Sequence, residues 1–192
     1  MLSKERKGKL FIVSAPSGAG KTTLCRSVLA KLSQIEPSIS YTTRPPRVGE
    51  THGKDYHFVS QKKFKEMIGE QAFSEWAVVH GHQYGTSKSL IENKMKNGID
   101  VLLSIDVQGA DQLRKLYPDA VSIFVNPPSL EELKKRLIER KSDSEITIQK
   151  RLEVAQREIG AGASYEFCIV NDDFEKALQE LISIIEAQRQ HS

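Results

Sequence analysis

Hydrophobic residues follow two rhythms along most of the chain. Continuous apolar runs, at residues 101–105, 120–125 and 167–170 and again just before residue 14, predict strands buried on both faces of a sheet. Between them, apolar residues at helical spacing predict helices over residues 23–32, 87–96, 107–116, 129–140, 146–159 and a final helix carrying Leu178, Leu181, Ile182 and Ile185. This alternation predicts an α/β fold with a largely parallel sheet flanked by helices.

The segment from about residue 38 to 87 breaks this rhythm. Residues 55–59 and 75–79 alternate polar and apolar side chains, and turns at Gly49, Gly53 and Gly81 separate the short segments. A short helix over residues 61–68 lies between the predicted strands. We therefore expect an inserted small lobe of mixed α/β structure, built around its own sheet.

A second interruption falls near residue 141. The run Lys141-Ser-Asp-Ser-Glu is polar, and many residues of the helix that follows are too charged for a core, which favours a mobile helical lid. We expect one domain over residues 9–188, with a core of about 9–37, 88–128 and 160–190, an inserted lobe of about 38–87 and a lid of about 129–159.

Composition narrows the class of protein. The chain has 192 residues, 39% hydrophobic and 28% charged, with a formal net charge of +3, which suits anionic nucleotides but is too weak to predict nucleic-acid binding. Cys25 and Cys168 have no metal or redox spacing, and we expect both to be small buried hydrophobes. No segment resembles a secretory signal or a membrane span, so we expect a cytoplasmic protein, with homo-oligomer formation left open.

The richest motif follows the first predicted strand. Ala15-Pro-Ser-Gly-Ala-Gly-Lys-Thr has the layout of a phosphate-binding P-loop, with Ala15 where the pattern usually begins with Gly. Gly18 and Gly20 allow backbone N–H groups to crowd a polyphosphate at the N-terminus of a helix. Lys21 supplies a mobile positive charge, and Thr22 supplies a hydroxyl for Mg²⁺. The motif predicts that the chain binds a nucleoside triphosphate.

A second motif lies in the predicted lobe. Arg44 and Arg47 flank Pro45-Pro46, and a guanidinium fork matches the oxygens of a phosphate. The prolines stiffen the loop, which lowers the entropy lost on binding, and the Tyr56 hydroxyl could complete an anion cradle. From spacing alone, a solvated Arg-Pro loop remains an equal alternative.

Taken together, the motifs resemble guanylate kinase along nearly the whole chain. Ala15-Pro-Ser-Gly-Ala-Gly-Lys-Thr, Ser40-Tyr-Thr-Thr-Arg-Pro-Pro-Arg and Gly53-Lys-Asp-Tyr-His-Phe-Val occur in the order of that family. Phe73-Ser-Glu-Trp-Ala, His80-Gly-His-Gln-Tyr-Gly-Thr, Ile105-Asp-Val-Gln-Gly and Ile169-Val-Asn-Asp-Asp follow in the same order. The resemblance implies a P-loop NTPase core with an inserted GMP-binding lobe and a lid.

The resemblance also implies a set of site residues. It assigns GMP binding to Ser40, Arg44, Arg47, Tyr56, Glu75, Tyr84, Thr86 and Asp106, and ATP binding to Ala15, Pro16, Ser17, Gly18, Ala19, Gly20, Lys21, Thr22 and Asn171. Guanine presents N1–H and an exocyclic amino group, so the carboxylates Glu75 and Asp106 suit it, whereas adenine would leave a buried carboxylate unpaired. Catalysis would fall to Lys21, Arg44, Arg140 and Arg151, with Mg²⁺ held partly by Thr22.

Two positions depart from the family pattern. Ala15 replaces the first Gly, which Ala can do wherever φ is negative, and we count it as a variant within the family. Ser104 stands where many members carry an acid, so the groups that order Mg²⁺ or its waters are expected to differ here.

The resemblance implies a kinase that moves the γ-phosphoryl group of ATP to GMP, and to dGMP, within purine nucleotide metabolism and GMP recycling. Two alternatives remain at this stage. One is a related P-loop phosphotransferase that acts on another phosphorylated acceptor. The other is a non-catalytic guanylate-kinase-like binding module, although such modules typically lack the intact P-loop that this chain has.

Overall fold

A computed structural model describes residues 6–79, 81–139 and 145–190. Its centre is a parallel sheet of five strands in the order β2-β7-β1-β8-β9. These strands are Leu10–Ser14 (β1), Ile35–Pro37 (β2), Asp100–Ile105 (β7), Val121–Asn126 (β8) and Phe167–Val170 (β9). The predicted α/β fold with a parallel sheet is therefore confirmed.

Within the described ranges, four helices pack on this sheet and one more follows its strand β8 in the chain. They are Lys21–Lys31 (α1), Lys88–Lys96 (α3), Val107–Leu116 (α4), Leu130–Glu139 (α5) and Phe174–Gln190 (α7). One apolar layer joins α1 and α7 to one face of the sheet, and a second joins α3 and α4 to the other face. Burial on both faces explains why the central strands read as continuous apolar runs.

The interrupted segment forms a second sheet. Its four strands, in the order β4-β3-β6-β5, are Tyr41–Thr42 (β3), His57–Phe58 (β4), Phe73–Val79 (β5) and His82–Ser87 (β6). The helix Gln61–Gly69 (α2) lies between β4 and β5 in sequence, where the pattern predicted it, and Phe64 and Met67 are its buried residues. Strand β5 is an edge of this sheet, and it also packs against α4 of the core.

The polar segment near residue 141 separates α5 from a helix over Glu145–Ala161 (α6). Leu133 and Leu137 of α5 pack with Ile148 and Ala155 of α6, which gives this helix pair a small core of its own. The Ser129 hydroxyl accepts a hydrogen bond from the Glu132 N–H at 3.1 Å, which is the N-cap half of a capping box at the start of α5. No helix in the described ranges is long and apolar enough to cross a membrane.

Two predictions about local structure were wrong, and one strand was not predicted. Residues 35–37 form the unpredicted strand β2, because they pair in parallel with the distant strand β7. The predicted strand over 55–59 shortens to His57–Phe58. Cys168 is exposed rather than buried, since β9 is an edge strand covered on one face only, and its thiol donates to the Gly162 carbonyl at 3.3 Å.

Candidate active site

The P-loop connects the carboxyl end of β1 to the first residue of α1. Gly18 and Gly20 have φ values of 101° and 91°, a region that L side chains rarely adopt. A Cβ at Gly18 would lie 2.9 Å from the Leu133 Cδ1 atom, so Leu133 of α5 packs directly on the loop. Among the residues that the structure describes, no side chain caps the N-terminus of α1, which leaves its first-turn N–H groups as donors for an anion.

Asn171 braces this loop from the core side. Its buried amide donates to the Ala19 carbonyl at 2.7 Å, and a Cβ at Gly20 would come within 2.3 Å of the same nitrogen. Neither Asn171 nor the fully buried Ala19 lines the cavity described below. The structure gives Asn171 a supporting contact with the loop, and its predicted contact with ATP stays a prediction.

Lys21 is tied to the strand beside the loop. Its ammonium group donates to the carbonyl of Ile105, the last residue of β7. Burial lowers the pKa of Lys21, while Cys25, Asp106 and Glu158, which become negative when they lose a proton, act in the opposite direction. The partly desolvated cation would be stabilised by an anionic ligand.

The sheet register explains why Asp106 lies beside the P-loop. Ser14 of β1 pairs with Ile105 of β7, so the chain leaves both strands at the same edge. Asp106 caps α4 by accepting hydrogen bonds from the N–H groups of Gln108 at 2.9 Å and Gly109 at 3.1 Å. Both bonds use the Oδ1 atom, so the Oδ2 atom remains an acceptor for a ligand.

Glu75 on β5 faces the same helix terminus from the small lobe. Its carboxylate is 4% exposed and accepts a hydrogen bond from the Thr86 hydroxyl of β6. Burial raises the pKa of Glu75 to about 7; the Thr86 bond lowers it, and the Asp106 charge raises it further. Gly109 ends the motif Ile105-Asp-Val-Gln-Gly, but no role was predicted for it. A Cβ at this position would lie 2.6 Å from Glu75 Oε2. Glycine is required for this approach.

The arginine loop is held by Glu50, a residue that was not among the predicted site residues. Arg44 is buried and donates to Glu50 at 2.9 Å, to the Pro45 carbonyl at 2.7 Å and to the Tyr84 hydroxyl at 3.3 Å. The main-chain N–H of Arg47 donates to the other Glu50 oxygen at 2.7 Å, while its side chain is exposed. The loop is thus ordered before any phosphate binds.

One cavity of about 430 Å³ brings the two lobes' residues together. Of the residues predicted to bind ATP or GMP, it is lined by Ala15, Pro16, Ser17, Gly18, Gly20, Lys21, Thr22, Ser40, Tyr56, Glu75, Tyr84 and Asp106. Arg44, Arg47 and Thr86 lie outside the lining, with Arg44 and Thr86 each bonded to a residue that belongs to it. Their direct contacts with GMP therefore stay predictions.

Helix α6 closes one side of this cavity. Arg151, Val154 and Glu158 line it, at spacings that place them on one face of the helix. Burial raises the pKa of Glu158 to about 6, Lys21 and the Ser17 N–H lower it, and Asp106 raises it. Glu158 was missed because the helix was predicted to be a mobile lid too charged for a core; its spacing from Arg151 was the signal. Arg140 lies outside the described residues.

Ser104 lines the cavity beside Ile105 and Asp106. It pairs with Val13 of β1, and its hydroxyl hydrogen-bonds with the thiol of Cys25 on α1. Burial raises the pKa of Cys25 to about 11. Ser104, at the position where the resemblance implied an acid, therefore forms a neutral pair with Cys25.

Comparisons with known proteins agree with this geometry. The family model described as guanylate kinase matches residues 7–188. A guanylate kinase from Geobacter metallireducens is 49% identical over 96% of this chain and 91% of its own, and one from Geobacter sulfurreducens is 50% identical over the same shares.

Solved structures extend the comparison. The crystal structure of guanylate kinase from Anaplasma phagocytophilum has a TM-score of 0.81 at 32% identity, covering 96% of this chain and 88% of its own. Shikimate kinase from Bacteroides thetaiotaomicron has a TM-score of 0.51 at 16% identity, covering 93% of this chain and 98% of its own, which shows a shared fold alone.

Proposed function

Since this chain belongs to the guanylate kinase family, we propose that the two halves of its cavity are the ATP and GMP sites of that reaction. The enzyme transfers a phosphoryl group from ATP to GMP and so produces ADP and GDP. One observation carries the assignment: the P-loop and the carboxylates Glu75 and Asp106 line a single cavity. A phosphate at the P-loop and a guanine at the two carboxylates would therefore occupy the same cavity.

The donor half would hold the ATP phosphates. Gly18, Gly20 and the uncapped first turn of α1 offer N–H donors, and Lys21 offers a charge that an anion would stabilise. Ala15, Pro16, Ser17 and Ala19 complete the loop that carries these groups. Asn171 would keep the loop in this shape through its bond to Ala19.

The acceptor half would hold GMP. Glu75 and Asp106 would accept hydrogen bonds from guanine N1–H and the exocyclic amino group, and Thr86 would keep the Glu75 carboxylate in place. Ser40, Tyr56 and Tyr84 line the cavity and would contact the GMP phosphate together with Arg44 and Arg47. Arg44 pairs with Glu50 in the free protein and would pair with the phosphate when GMP binds, so its charge would be paired in both states.

The cavity also offers oxygen ligands that fit Mg²⁺. Thr22, Ser104, Asp106 and Glu158 all line the cavity, and hydroxyl and carboxylate oxygens are the ligands this cation prefers. We propose that Thr22 binds it directly and that Ser104 and Glu158 hold its waters, since Asp106 is assigned to guanine. When bound, Mg²⁺ would supply charge neutralisation on the transferred phosphoryl group.

Phosphoryl transfer then needs positioning more than proton removal. A GMP phosphate oxygen, ionised near neutral pH, attacks the γ-phosphorus, and the bond from that phosphorus to the bridging oxygen breaks to release ADP. Lys21 and the arginines Arg44, Arg140 and Arg151 would spread the developing charge. Closure of the lobe and of α6 would exclude water, which otherwise would hydrolyse ATP.

A nucleotide panel tests the function. ADP release would be measured with ATP and each of GMP, dGMP, AMP, CMP and UMP. We expect turnover with GMP, weaker or equal turnover with dGMP, and AMP turnover at least about a hundredfold lower, because adenine has no N1–H for Glu75. Equal turnover with AMP would contradict guanine recognition, and GMP binding without ADP release would indicate a binding module.

A further inference from the structure

Strand β5 is an edge strand, and on its unpaired side the backbone of Trp76 is hydrogen-bonded by a side chain from the core. The Gln112 amide of α4 donates to the Trp76 carbonyl at 3.0 Å, and its oxygen lies 3.4 Å from the Trp76 nitrogen as acceptor for that N–H. An edge strand normally presents such groups to solvent or to another strand. Gln112 therefore pairs with β5 in the way that one residue of a neighbouring strand would.

Two further contacts hold the adjoining residues of β5 to the same region. The Ser74 hydroxyl lies 3.0 Å from the Tyr117 hydroxyl, directly after the end of α4. The Glu75 carboxylate rests on Gly109, in the first turn of the helix. Three consecutive residues of the lobe are thus contacted by one core helix and its C-cap.

This contact fixes the direction of the Glu75 side chain. Neighbouring side chains of a strand point to opposite faces, and Trp76 is 40% exposed while Glu75 is buried. A rotation of β5 that breaks the Gln112 bonds at Trp76 would therefore turn Glu75 away from α4 as well. Since Asp106 caps this same helix, α4 sets the separation of the two carboxylates.

Glu75 would not hold this position by its own charge. It is desolvated, and the nearby Asp106 charge raises its pKa further, so the carboxylate would be more stable turned toward water. The Thr86 bond acts from within the lobe. A contact from the core is needed to oppose movement of the whole strand.

We propose that Gln112 is a positioning residue for guanine recognition, which clamps the edge of β5 to α4 and so fixes the Glu75 carboxylate relative to Asp106. The inference rests on the proposed function, because it concerns the GMP half of the cavity. Gln112 itself does not line that cavity, and its side chain acts only through the β5 backbone.

Steady-state kinetics with Gln112→Met test the proposal, because methionine keeps the length of the side chain and removes both polar groups. We expect KM for GMP to rise about fivefold, because the variant loses one to two hydrogen bonds. KM for ATP and kcat should stay within about twofold of wild type. The preference for GMP over AMP should fall by a similar factor. Lys115→Met, an exposed change on the same helix, should leave all these values unchanged.

A second variant, Gln112→Asn, keeps the amide but is one methylene too short to reach Trp76, and should behave as Gln112→Met does. If the wild type is active and both variants have the wild-type KM for GMP, the inference about Gln112 is overturned but the proposed function is not. An equal rise in KM for ATP and GMP would also overturn it, since that result indicates a general loss of structure. A wild type that neither binds nor phosphorylates GMP would overturn the proposed function and this inference with it.

Discussion

The two halves of the cavity are built in opposite ways. The half that we propose for the ATP phosphates comes from one stretch of chain, residues 15–22, whose glycines, helix N-terminus and Lys21 form a positive site by local structure. The half that we propose for guanine combines the carboxyl groups of Glu75 in the lobe and Asp106 in the core. A local motif therefore suffices for the proposed donor site, whereas the proposed acceptor site depends on how the lobe docks on α4.

Burial acts on both halves with opposite sign. It lowers the pKa of Lys21 and raises the pKa of Glu75 to about 7, so each charged form is held where water solvates it poorly. A phosphate would stabilise the Lys21 cation, and the N–H donors of guanine would stabilise the Glu75 anion. Each half therefore favours a ligand of complementary charge: an anion at Lys21 and N–H donors at Glu75.

Removal of Lys21 should have the largest effect. Lys21→Ala deletes the cation of the donor half, and we expect kcat to fall by about 10³-fold, at the upper end of what one electrostatic contact contributes. The free energy of unfolding should not decrease, because burial disfavours the charged form. Rates at saturating ATP and GMP measure the effect.

Lys31→Ala, at the other end of α1, is the matched control, because its contact with Glu175 is long, at 3.9 Å, and exposed. It should leave kcat unchanged. An unchanged kcat in Lys21→Ala would contradict the donor assignment of the P-loop.

Glu75→Gln should separate the two halves. The amide keeps one acceptor oxygen but turns a donor toward the guanine N–H groups, so we expect KM for GMP to rise about thirtyfold and KM for ATP to stay within about twofold. Stability at pH 8 should increase by up to about 3 kcal/mol, since a desolvated charge is removed. Kinetics and chemical denaturation give the two readouts.

Glu70→Gln provides the control on an exposed position of the same lobe and should change neither quantity. If KM for ATP and GMP rose equally in Glu75→Gln, Glu75 would have no specific place in base recognition.

The pH dependence of GMP binding should be smaller. Guanine needs the charged form of Glu75, so KM for GMP should rise about threefold between pH 7.5 and 6.5 while the Glu75→Gln variant shows no such slope. The stability contribution has the opposite sign. Because the folded pKa lies above the usual value of about 4.5, this group favours folding at low pH, and that contribution is lost as pH rises toward 7. Equal pH slopes in the two proteins would contradict the prediction.

Local signals predicted much of the core. The bounds of α4 were predicted residue for residue, since Asp106 caps its start and Pro118 follows its end. Strand β2 was missed because its pairing partner is distant, and the exposure of Cys168 was missed because a sequence does not tell an edge strand from a central one.

The site divides in the same way. The phosphate-binding loop could be read from spacing alone, because its residues are adjacent in the chain. The proximity of Glu75 to Asp106 required the resemblance to guanylate kinase, and the clamp at Gln112 emerged only from the packing of β5 on α4. Contacts between lobe and core leave no local pattern in a sequence.

A measurement of the Glu75 pKa with and without GMP tests the proposed division of the cavity into a phosphate half and a guanine half. Carboxyl ¹³C shifts of glutamate-labelled protein would be titrated with and without GMP, and the Glu75 signal identified as the one absent from Glu75→Gln. We expect a Glu75 pKa of about 7 in the free protein and a fall of at least about one unit when GMP binds. A Glu75 pKa that GMP leaves unchanged would contradict this division of the cavity.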